Sequence, residues 1–401
     1  MTESAPPVQP SYDRPLAGLR VLDLSQGIAG PYCAMLLAQY GCSVVKVEPA
    51  AGDWGRGLGK RIGDHTPIAL SANRGKRSIV LDLKTDAGRQ LLARLAARAD
   101  VLIENFRPGV CARLGVGYEA VKAANPRILY VSISAFGQTG PRATQPGSDT
   151  IGQAFAGMMW ANRDATGHPR PTTYYATDYV TALYAFQATA MALAARPFEK
   201  EGRHLDISLI HSSAAFLTQK LIESRLEGPS PQRVNTPAGT YRTQDGWIAV
   251  TLTREPHFAA FCRVLGREDL LADARFASFA LRGEHRELLV PVVEQALLTR
   301  STADWLQAFS AADVLCSLVQ SVGEFIDDEH VRALNLVLEQ TLPGLPPIPW
   351  VRIPGALQPQ GDDARNHWPN IGGDTRQVLR DELGMSDDEM AVCAASGAVR
   401  L

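Results

Sequence analysis

Cysteine is scarce in this chain of 401 residues, and its six copies are scattered without a CxxC pair. That spacing argues against a structural zinc site and a disulfide framework, and it is typical of a reducing compartment. The sequence also lacks an apolar run of the ~20 residues that a membrane-spanning helix requires. With a formal net charge of −2, it lacks the positive excess that favours binding to nucleic acids or anionic membranes.

What remains is the composition of a globular protein, with 45% hydrophobic and 20% charged residues. The chain is long enough for two domains. Its first residues lack a positively charged segment followed by an apolar core, so we expect no secretory signal. We expect residues 1–14 to be a flexible polar tail and the protein to be cytoplasmic.

Short β-rich runs alternate with helical patterns through the first part of the chain. The runs are Leu19–Ser25, Ser43–Glu48, Ser78–Leu83, Asp100–Phe106 and Ile128–Phe136. This alternation predicts an α/β fold with a doubly wound parallel sheet and right-handed crossovers.

Further along, the sequence predicts helices over Ile151–Trp160 and about Asp178–Arg196. The Pro- and Gly-rich segment Glu227–Gly239 marks a boundary. After it, Thr240–Leu252 is predicted to be a β-hairpin with Asp245–Gly246 at its turn.

The turn after the first strand, "SQGIAGPY", has the character of a phosphate-binding loop. Glu48 ends the second strand 21 positions after Gly27, near the place of a ribose-binding acid in dinucleotide folds. However, Gly27 and Gly30 form GxxG rather than GxGxxG, and Pro31 removes an amide donor. The glycine spacing and Pro31 therefore argue against a nicotinamide cofactor.

Positive charge gathers next to two predicted strands. "NRGKRSIVLDL" places Arg74, Lys76 and Arg77 around a glycine, and "ENFRPG" places Arg107 at a strand's carboxyl end, with Arg113 close by. Clustered cations suit phosphate recognition, and ligands bind at the carboxyl ends of strands in open α/β sheets. The alternatives are a solvated basic loop in the first case and a simple turn in the second.

Asp178 is the sole ionisable side chain, tyrosines aside, between Arg170 and Arg196. Aspartate is a frequent helix cap, and capping is the commoner role for such a residue. A carboxylate at a helix amino terminus can also face a cleft and act as a nucleophile. His204 and His211, seven residues apart, are expected to share a helix face as packing or surface residues.

Four runs resemble the class III coenzyme A-transferases (the CaiB/BaiF type, with a formyl-CoA transferase-like fold). They are Pro15–Asp53, "NRGKRSIVLDLKTDAGRQLL", "ADVLIENFRPGVCARLGVGYEAVKAANPRILYVSISAFGQTGP" and "TDYVTALYAFQATAMALAAR…GRHLDISL". They cover nearly all of Pro15 to Leu209 in the family's order and spacing. The resemblance implies a large CoA-binding, Rossmann-like domain of residues 15–225 plus 331–401, a smaller α+β domain of residues 226–330, and an interlocked homodimer.

The resemblance also implies a mechanism in which Asp178 attacks an acyl-CoA, forms a mixed anhydride and then becomes an enzyme–CoA thioester. Coenzyme A is thereby a substrate, and neither a prosthetic group nor a metal is expected. The positions matching the family's CoA contacts are Ile28, Ala29, Asn73, Lys76, Arg77, Asn105, Phe106, Arg107 and Arg113. Their arginines and lysine are expected at the phosphates, and the strand-end residues at the adenosine.

Departures from the family's patterns narrow the chemistry. Formyl-CoA transferase-like members carry a glutamine where this chain has Ile28, which argues against formyl and oxalate substrates. Racemase members carry a histidine where this chain has Ser148, a poor base. An α-methylacyl-CoA racemase and a non-catalytic CoA-binding relative remain the alternatives.

The acyl pocket is expected along Gly157–Asp178, a stretch rich in large apolar side chains. Those side chains belong to Met158, Met159, Trp160, Tyr174 and Tyr175. Some of them are equally plausible as core. Arg163 and Arg170, candidates for holding a second substrate carboxylate, are more typical of solvated surface.

Overall fold

The structure, a computed structural model, describes residues 9–164, 166–228, 235–361 and 363–401. The chain forms two compact units, Met1–Thr218 with Leu338–Leu401, and Gln219–Val337. Residues 1–8 of the tail predicted from the sequence lie outside the described residues. The domain boundaries at residues 225 and 331 stay a prediction.

The elements have the following bounds. The strands are β1 (Arg20–Asp23), β2 (Ser43–Glu48), β3 (Lys76–Leu81), β4 (Val101–Glu104), β5 (Leu129–Ser134), β6 (Arg203–Ser208), β7 (Gly239–Arg242), β8 (Trp247–Thr251), β9 (Leu315–Leu318), β10 (Val337–Gln340), β11 (Ile348–Val351) and β12 (Val399–Arg400). The α-helices are α1 (Ala29–Gln39), α2 (Pro67–Asn73), α3 (Asp86–Ala96), α4 (Val110–Arg113), α5 (Tyr118–Ala124), α6 (Asp149–Phe155), α7 (Met158–Ala161), α8 (Ala176–Ala195), α9 (Leu209–Phe216), α10 (Thr218–Glu227), α11 (Glu255–Leu265), α12 (Asp269–Ala272), α13 (Phe279–Glu284), α14 (Arg286–Leu297), α15 (Thr302–Ala311), α16 (Val322–Asp327), α17 (Glu329–Ala333), α18 (Thr375–Leu383) and α19 (Asp387–Ala395). Short 3-10 helices cover Trp54–Gly57, Arg196–Phe198, Ala274–Phe276 and Ala364–Asn366.

The first unit is built on a sheet of seven strands in the order β12-β3-β2-β1-β4-β5-β6. The six strands β1 to β6 run parallel, and β12 joins the β3 edge antiparallel. The strand order reverses between β1 and β4, which makes their carboxyl ends the expected place for a ligand. The predicted α/β class with a parallel-dominated sheet is confirmed.

Helices cover both faces of this sheet because strand side chains alternate in direction. Val21 of β1 packs on one face against Leu37 of α1 and Ala182 of α8. Its neighbour Leu22 packs on the other face, in a cluster with Leu92 of α3. This two-sided packing is the doubly wound arrangement, and it holds the loops at the strand ends in place.

Two predictions of local structure are corrected. His204 lies in strand β6, whereas His211 lies in helix α9, so these histidines do not share a helix face. The helix predicted over residues 151–160 is interrupted at Gly157, whose φ of 85° belongs to the left-handed region and ends one helix before α7 begins.

The second unit contains an antiparallel sheet of three strands, β7-β8-β9. Strands β7 and β8 form the predicted hairpin. The core of the second unit includes Phe261 and Phe309, whose ring centroids are 5.3 Å apart in a stacked arrangement. Within the described ranges, none of the helices is both long and apolar enough to cross a membrane.

Candidate active site

A pocket with a cavity volume of about 240 Å³ opens at the carboxyl ends of the central strands. Six residues singled out from the sequence line it: Ile28, Ala29, Asn105, Phe106, Arg107 and Asp178. Although these residues are far apart in the chain, the strand order brings the loops after β1 and β4 together with the start of α8.

Asp178 lies in the first turn of α8, which begins at Ala176, so Asp178 is not the helix cap. Asp149 performs the capping from outside the helix. Its Oδ1 accepts hydrogen bonds from the backbone N–H groups of Thr177 (2.8 Å) and Asp178 (3.2 Å). Gln153 Nε2 donates to its Oδ2 at 2.6 Å and so orients the Asp149 carboxylate.

The carboxylate of Asp178 is free of hydrogen bonds from any donor in the part of the chain that the structure describes. Burial in the pocket wall, together with the negative charge of Asp149, raises the pKa of Asp178 to about 7. Near neutral pH a substantial fraction of the protein molecules therefore carries Asp178 as the carboxylate anion, and the pocket wall limits the hydration of that anion. The carboxylate is the form that attacks a carbonyl carbon.

Asn105 joins the end of β4 to the turn after β1. Its Oδ1 accepts from the Gln26 backbone N–H at 2.8 Å, and its Nδ2 donates to the Gln26 carbonyl oxygen at 2.7 Å. Both ends of the amide are thus committed to Gln26. Asn105 shapes the pocket by fixing this turn, which leaves less of its hydrogen-bonding capacity for the predicted adenosine contact.

The same turn depends on a glycine. Gly27 has a φ of +78°, and a Cβ there would lie 2.0 Å from a ring carbon of Trp54. Its N–H donates to Asp53 Oδ1 at 2.8 Å. The indole of Trp54 thereby packs against the backbone at Gly27, and Trp54 also lines the pocket.

Lys76 lies below this turn in the protein interior. Its ammonium group donates to Asp23 Oδ2 (2.8 Å), the Pro31 carbonyl oxygen (2.8 Å) and Asn73 Oδ1 (3.0 Å). Its three N–H donors each have an acceptor, and Asn73 is also buried. This placement argues against the phosphate contact predicted for Lys76 and the CoA contact predicted for Asn73, because neither side chain reaches the surface.

Arg77 is near the amino end of β3, whereas the pocket is at the carboxyl ends of the strands. Its Nη2 donates to Ser43 Oγ at 2.8 Å and to Glu382 Oε1 at 2.7 Å. The structure therefore does not bring Arg77 together with the residues of the pocket.

Arg107 and Arg113 are exposed beside the pocket, at the loop after β4 and in α4. Neither forms an ion pair within the described ranges. Arg113 Nη1 lies 3.5 Å from the position that a Cβ on Gly109 would take, so it folds back over this loop. These two cations are available to an anionic ligand.

The profile of CoA-transferase family III matches residues 16–375. The chain belongs to CoA-transferase family III. An acetyl-CoA:oxalate CoA-transferase of Acetobacter aceti is 34% identical over 370 residues, which cover 90% of this chain and 93% of that protein. A succinate–glutarate CoA-transferase of Agrobacterium fabrum is 32% identical over 384 residues, 92% of this chain and 96% of its own length.

Solved structures agree with this family membership. A CaiB/BaiF family protein from Brucella suis superposes with a TM-score of 0.80 at 28% identity, covering 92% of this chain and 100% of that protein. The resemblance seen in the sequence is thus confirmed, and the protein is a family III CoA-transferase.

The position of Glu48 argues against the ribose contact considered from the sequence. The Glu48 carboxylate is buried. Oε1 accepts a hydrogen bond from Arg56 Nε at 2.7 Å, and Oε2 accepts one from Arg56 Nη2 at 2.8 Å. Although burial opposes ionisation, the hydrogen bonds from Arg56 and the charge of Lys46 lower the pKa of Glu48 to about 2. Its role is to hold the loop that carries Trp54.

Among the described residues of the segment predicted to form the acyl pocket, Asp178 alone lines this CoA-transferase pocket. Met158 is buried elsewhere, and Trp160 is about half exposed. Arg163 stacks on the Trp160 ring at 5.2 Å, and Arg170 pairs with Asp164 at 2.8 Å. Both arginines thus have surface roles here, as the sequence favoured.

Sequence reasoning missed Asp149, Gln26 and Trp54, which line the pocket together with the predicted residues. The sole signal for Asp149 was an acid at the start of a predicted helix, which ordinarily indicates local capping. That it caps a different helix depends on the tertiary fold.

Proposed function

We propose that this CoA-transferase moves coenzyme A from an acyl-CoA donor to a free carboxylic acid, with Asp178 as the covalent nucleophile. The unpartnered Asp178 carboxylate on the pocket wall, with its pKa raised to about 7, carries the proposal. A carboxylate with all its acceptor sites filled by protein donors would be a far weaker nucleophile.

The reaction begins when an Asp178 oxygen attacks the thioester carbonyl carbon, the C–S bond breaks and CoA leaves as the thiolate. The thiolate then attacks the aspartyl carbonyl of the mixed anhydride, which releases the donor acid and leaves Asp178 as a CoA thioester. The acceptor carboxylate attacks the carbonyl carbon of that thioester, the C–S bond breaks, and a second anhydride forms as CoA leaves again as the thiolate. CoA thiolate finally attacks the acceptor's acyl carbon and regenerates the Asp178 carboxylate.

Each attack places negative charge on a carbonyl oxygen, which needs donors. The amino terminus of α1 faces the pocket through Ile28 and Ala29. Backbone N–H groups in the first turn of a helix have no intrahelical acceptor. We assign these amides as the oxyanion donors.

Coenzyme A itself is recognised through its charge. Arg107 lines the pocket, and Arg113 lies in the helix that follows the same loop. Both are exposed and form no ion pair in the described part of the chain, so they suit its phosphates. Phe106, half-buried after β4, offers an apolar surface to the adenosine. The substrate carries the reactive thioester, so this scheme uses neither a prosthetic group nor a metal.

A racemase would need two bases flanking the α-carbon of the substrate. Among the described residues that line the pocket there is no histidine, and Ser148 and Asp178 both line it. A serine hydroxyl is a poor base at neutral pH, so the transferase reaction is favoured.

The two curated relatives reported above are named for dicarboxylic acids: oxalate in one case, succinate and glutarate in the other. We propose a dicarboxylic acid as one substrate of this protein. Isoleucine at position 28 argues against oxalate, whereas the relative named for oxalate argues for including oxalate among the acids tested.

Helix α8 supports the proposed homodimer. It is largely apolar, yet Leu183 and Met191 are about half exposed or more, and Phe216 at the end of α9 is 60% exposed. An apolar helix of this kind is normally covered. A second copy of the chain would cover it, as in the interlocked dimers that the family resemblance implies.

Trapping the covalent intermediate tests the proposal. The protein is incubated with acetyl-CoA, succinyl-CoA or other donors, and hydroxylamine is added to convert an activated aspartyl group to a hydroxamate. Peptide mass spectrometry should locate the hydroxamate at Asp178 in the wild type and nowhere in Asp178→Asn. Turnover of a donor without any modification at Asp178 would refute the mechanism, and deuterium uptake at the α-carbon of a 2-methylacyl-CoA would instead indicate racemisation.

A further inference from the structure

A second cavity, of about 580 Å³, lies in the first unit between α1, α2, the start of α8 and β11. Aromatic side chains form much of its wall: Tyr32, Tyr179, Trp350 and Trp368. It shares no lining residue with the Asp178 pocket, although Asp178 and Tyr179 are neighbours in the chain. Its volume is within the range of sites for small organic ligands.

Arg74 projects a buried guanidinium group into this wall. Its carbon Cζ lies 3.6 Å from the centroid of the Trp350 ring, and Nη2 donates to Gln39 Oε1 at 2.7 Å. Nη1 is buried and has no hydrogen-bond acceptor. The indole nitrogen of Trp350 is likewise buried without an acceptor.

Arg74 differs from the other buried arginines of the described chain, each of which has a carboxylate partner. Those pairs are Arg56 with Glu48, Arg282 with Glu255 and Arg365 with Asp363. Arg74 is 4% exposed and has no carboxylate within ion-pair distance among the described residues. A buried charge without a counter-ion is costly, and burial lowers the pKa of Arg74 to about 10.

We propose that this cavity is a binding site for a monocarboxylic acid with an apolar body. Arg74 Nη1 and Trp350 Nε1 are both buried, so entry of the ligand rotates these two side chains towards the cavity. The carboxylate then accepts hydrogen bonds from both nitrogens, and the apolar body packs against the aromatic wall. One cation matches one negative charge, whereas a phosphate dianion would lack a second cation in this apolar setting. The ligand carboxylate thus supplies the negative charge that no described side chain supplies to Arg74.

This site is separate from the proposed covalent chemistry, since it uses none of the residues around Asp178. Carboxylic acids are nevertheless the products and acceptors of the proposed transfer. The helix that carries Asp178 forms part of both cavities, because Tyr179 lines this one and its hydroxyl lies 3.4 Å from Ser71 Oγ. A free acid bound here would thus contact the first turn of the same helix.

The test measures equilibrium binding of 4-phenylbutyrate by calorimetry and by tryptophan fluorescence, with 4-phenylbutyramide as the uncharged isostere. Asp178→Asn is used in parallel, so that binding is assessed without covalent chemistry. Arg74→Met and Trp350→Phe probe the site, and Arg376→Met, a surface arginine paired with Asp387, is the matched control. Circular dichroism establishes that each variant is folded.

We expect saturable binding of one 4-phenylbutyrate per chain in wild type and Asp178→Asn alike, with the amide at least tenfold weaker. Arg74→Met should weaken the acid at least tenfold and Trp350→Phe about threefold, while Arg376→Met leaves it unchanged. Equal binding of acid and amide, or acid binding unaffected by Trp350→Phe and Arg74→Met, would overturn the site. So would the absence of binding, as when a second copy of the chain fills the cavity. If Arg74→Met does not fold, the acid–amide comparison on the wild type and Trp350→Phe still decides.

Failure of this site and failure of the proposed transfer are distinguishable. Hydroxamate formation at Asp178 tests the transfer and does not depend on Arg74. Acid binding in Asp178→Asn tests the second cavity and does not depend on turnover.

Discussion

The Asp149 carboxylate accepts the backbone N–H of Asp178, and by doing so it releases the Asp178 carboxylate from helix capping. One acid thus stabilises the start of α8, and the other faces the pocket. The cap also places a negative charge close to Asp178, which contributes to its raised pKa. Support for the helix start and the raised pKa of the proposed nucleophile thus come from the same carboxylate.

Asp178→Asn should reduce CoA transfer at least about 10³-fold, because the amide cannot form the anhydride. The same substitution should stabilise the fold at pH 8. With a folded-state pKa near 7 and an ordinary value of 3.8, Asp178 favours folding when protonated and loses that contribution as pH rises from about 4 to 7.

Chemical denaturation of wild type and Asp178→Asn at several pH values measures this effect. The free energies of unfolding should be similar near pH 4, and the variant should be more stable by about 1–2 kcal/mol at pH 8, a range reduced for the partial exposure of Asp178. A difference independent of pH would contradict the raised pKa.

Asp149→Asn should shift the acidic limb of the kcat/KM profile to lower pH by about half a unit to one unit. The asparagine oxygen can still accept the N–H groups of Thr177 and Asp178, but the negative charge that raises the pKa of Asp178 is gone. Asp149→Ala, which also removes the cap, should in addition lower stability by about 1–2 kcal/mol and reduce kcat. If the acidic limb of the kcat/KM profile does not move in Asp149→Asn, the negative charge of Asp149 does not raise the pKa of Asp178.

Arg107→Met should raise the KM for acyl-CoA about tenfold and leave kcat nearly unchanged, because it removes a charge-assisted hydrogen bond to a phosphate. Arg77→Met is the matched control, since Arg77 pairs with Glu382 at the opposite end of the strands. Its KM should change less than twofold. Steady-state kinetics at two salt concentrations tests both, and equal effects of the two variants would contradict this assignment.

Lys76→Met should destabilise the first unit by about 3–5 kcal/mol, because it leaves Asp23 buried with a more distant lysine, Lys46, at 4.0 Å. The double variant with Asp23→Asn should recover part of the loss. Urea denaturation gives both values. Lys84→Met, at an exposed position, should cost less than about 0.5 kcal/mol.

Should Lys76 instead bind a phosphate, Lys76→Met would raise the KM for acyl-CoA without loss of stability. That result would restore the contact predicted from the sequence.

The sequence predicted the parallel strands β1 to β5 because each lies in a short run rich in Val, Ile and Leu between helical patterns. It missed β6, where Arg203, His204 and Asp206 interrupt the apolar residues. The pocket was predictable in outline, since "ENFRPG" follows a strand and the family resemblance identifies Asp178.

Other features could not be predicted, because they depend on partners distant in the chain. A lysine beside Arg77 in a basic loop is typically solvated, and nothing local shows that Lys76 points inward to Asp23. Asp149 and Asp178 are 29 residues apart, and their contact exists only after α6 and α8 pack. Arg74 is similar, since its isolation from carboxylates is a property of the folded interior.

The antiparallel pairing of β12 with β3 has a consequence for biosynthesis. While a ribosome makes this chain, β3 emerges early, and all of the second unit follows before Val399 can pair with Leu81. During that interval the β3 edge exposes unpaired backbone groups that can recruit strands of other nascent chains. Translation that stops before Val399 should therefore yield aggregates, and holdase chaperones should improve the yield of the complete chain.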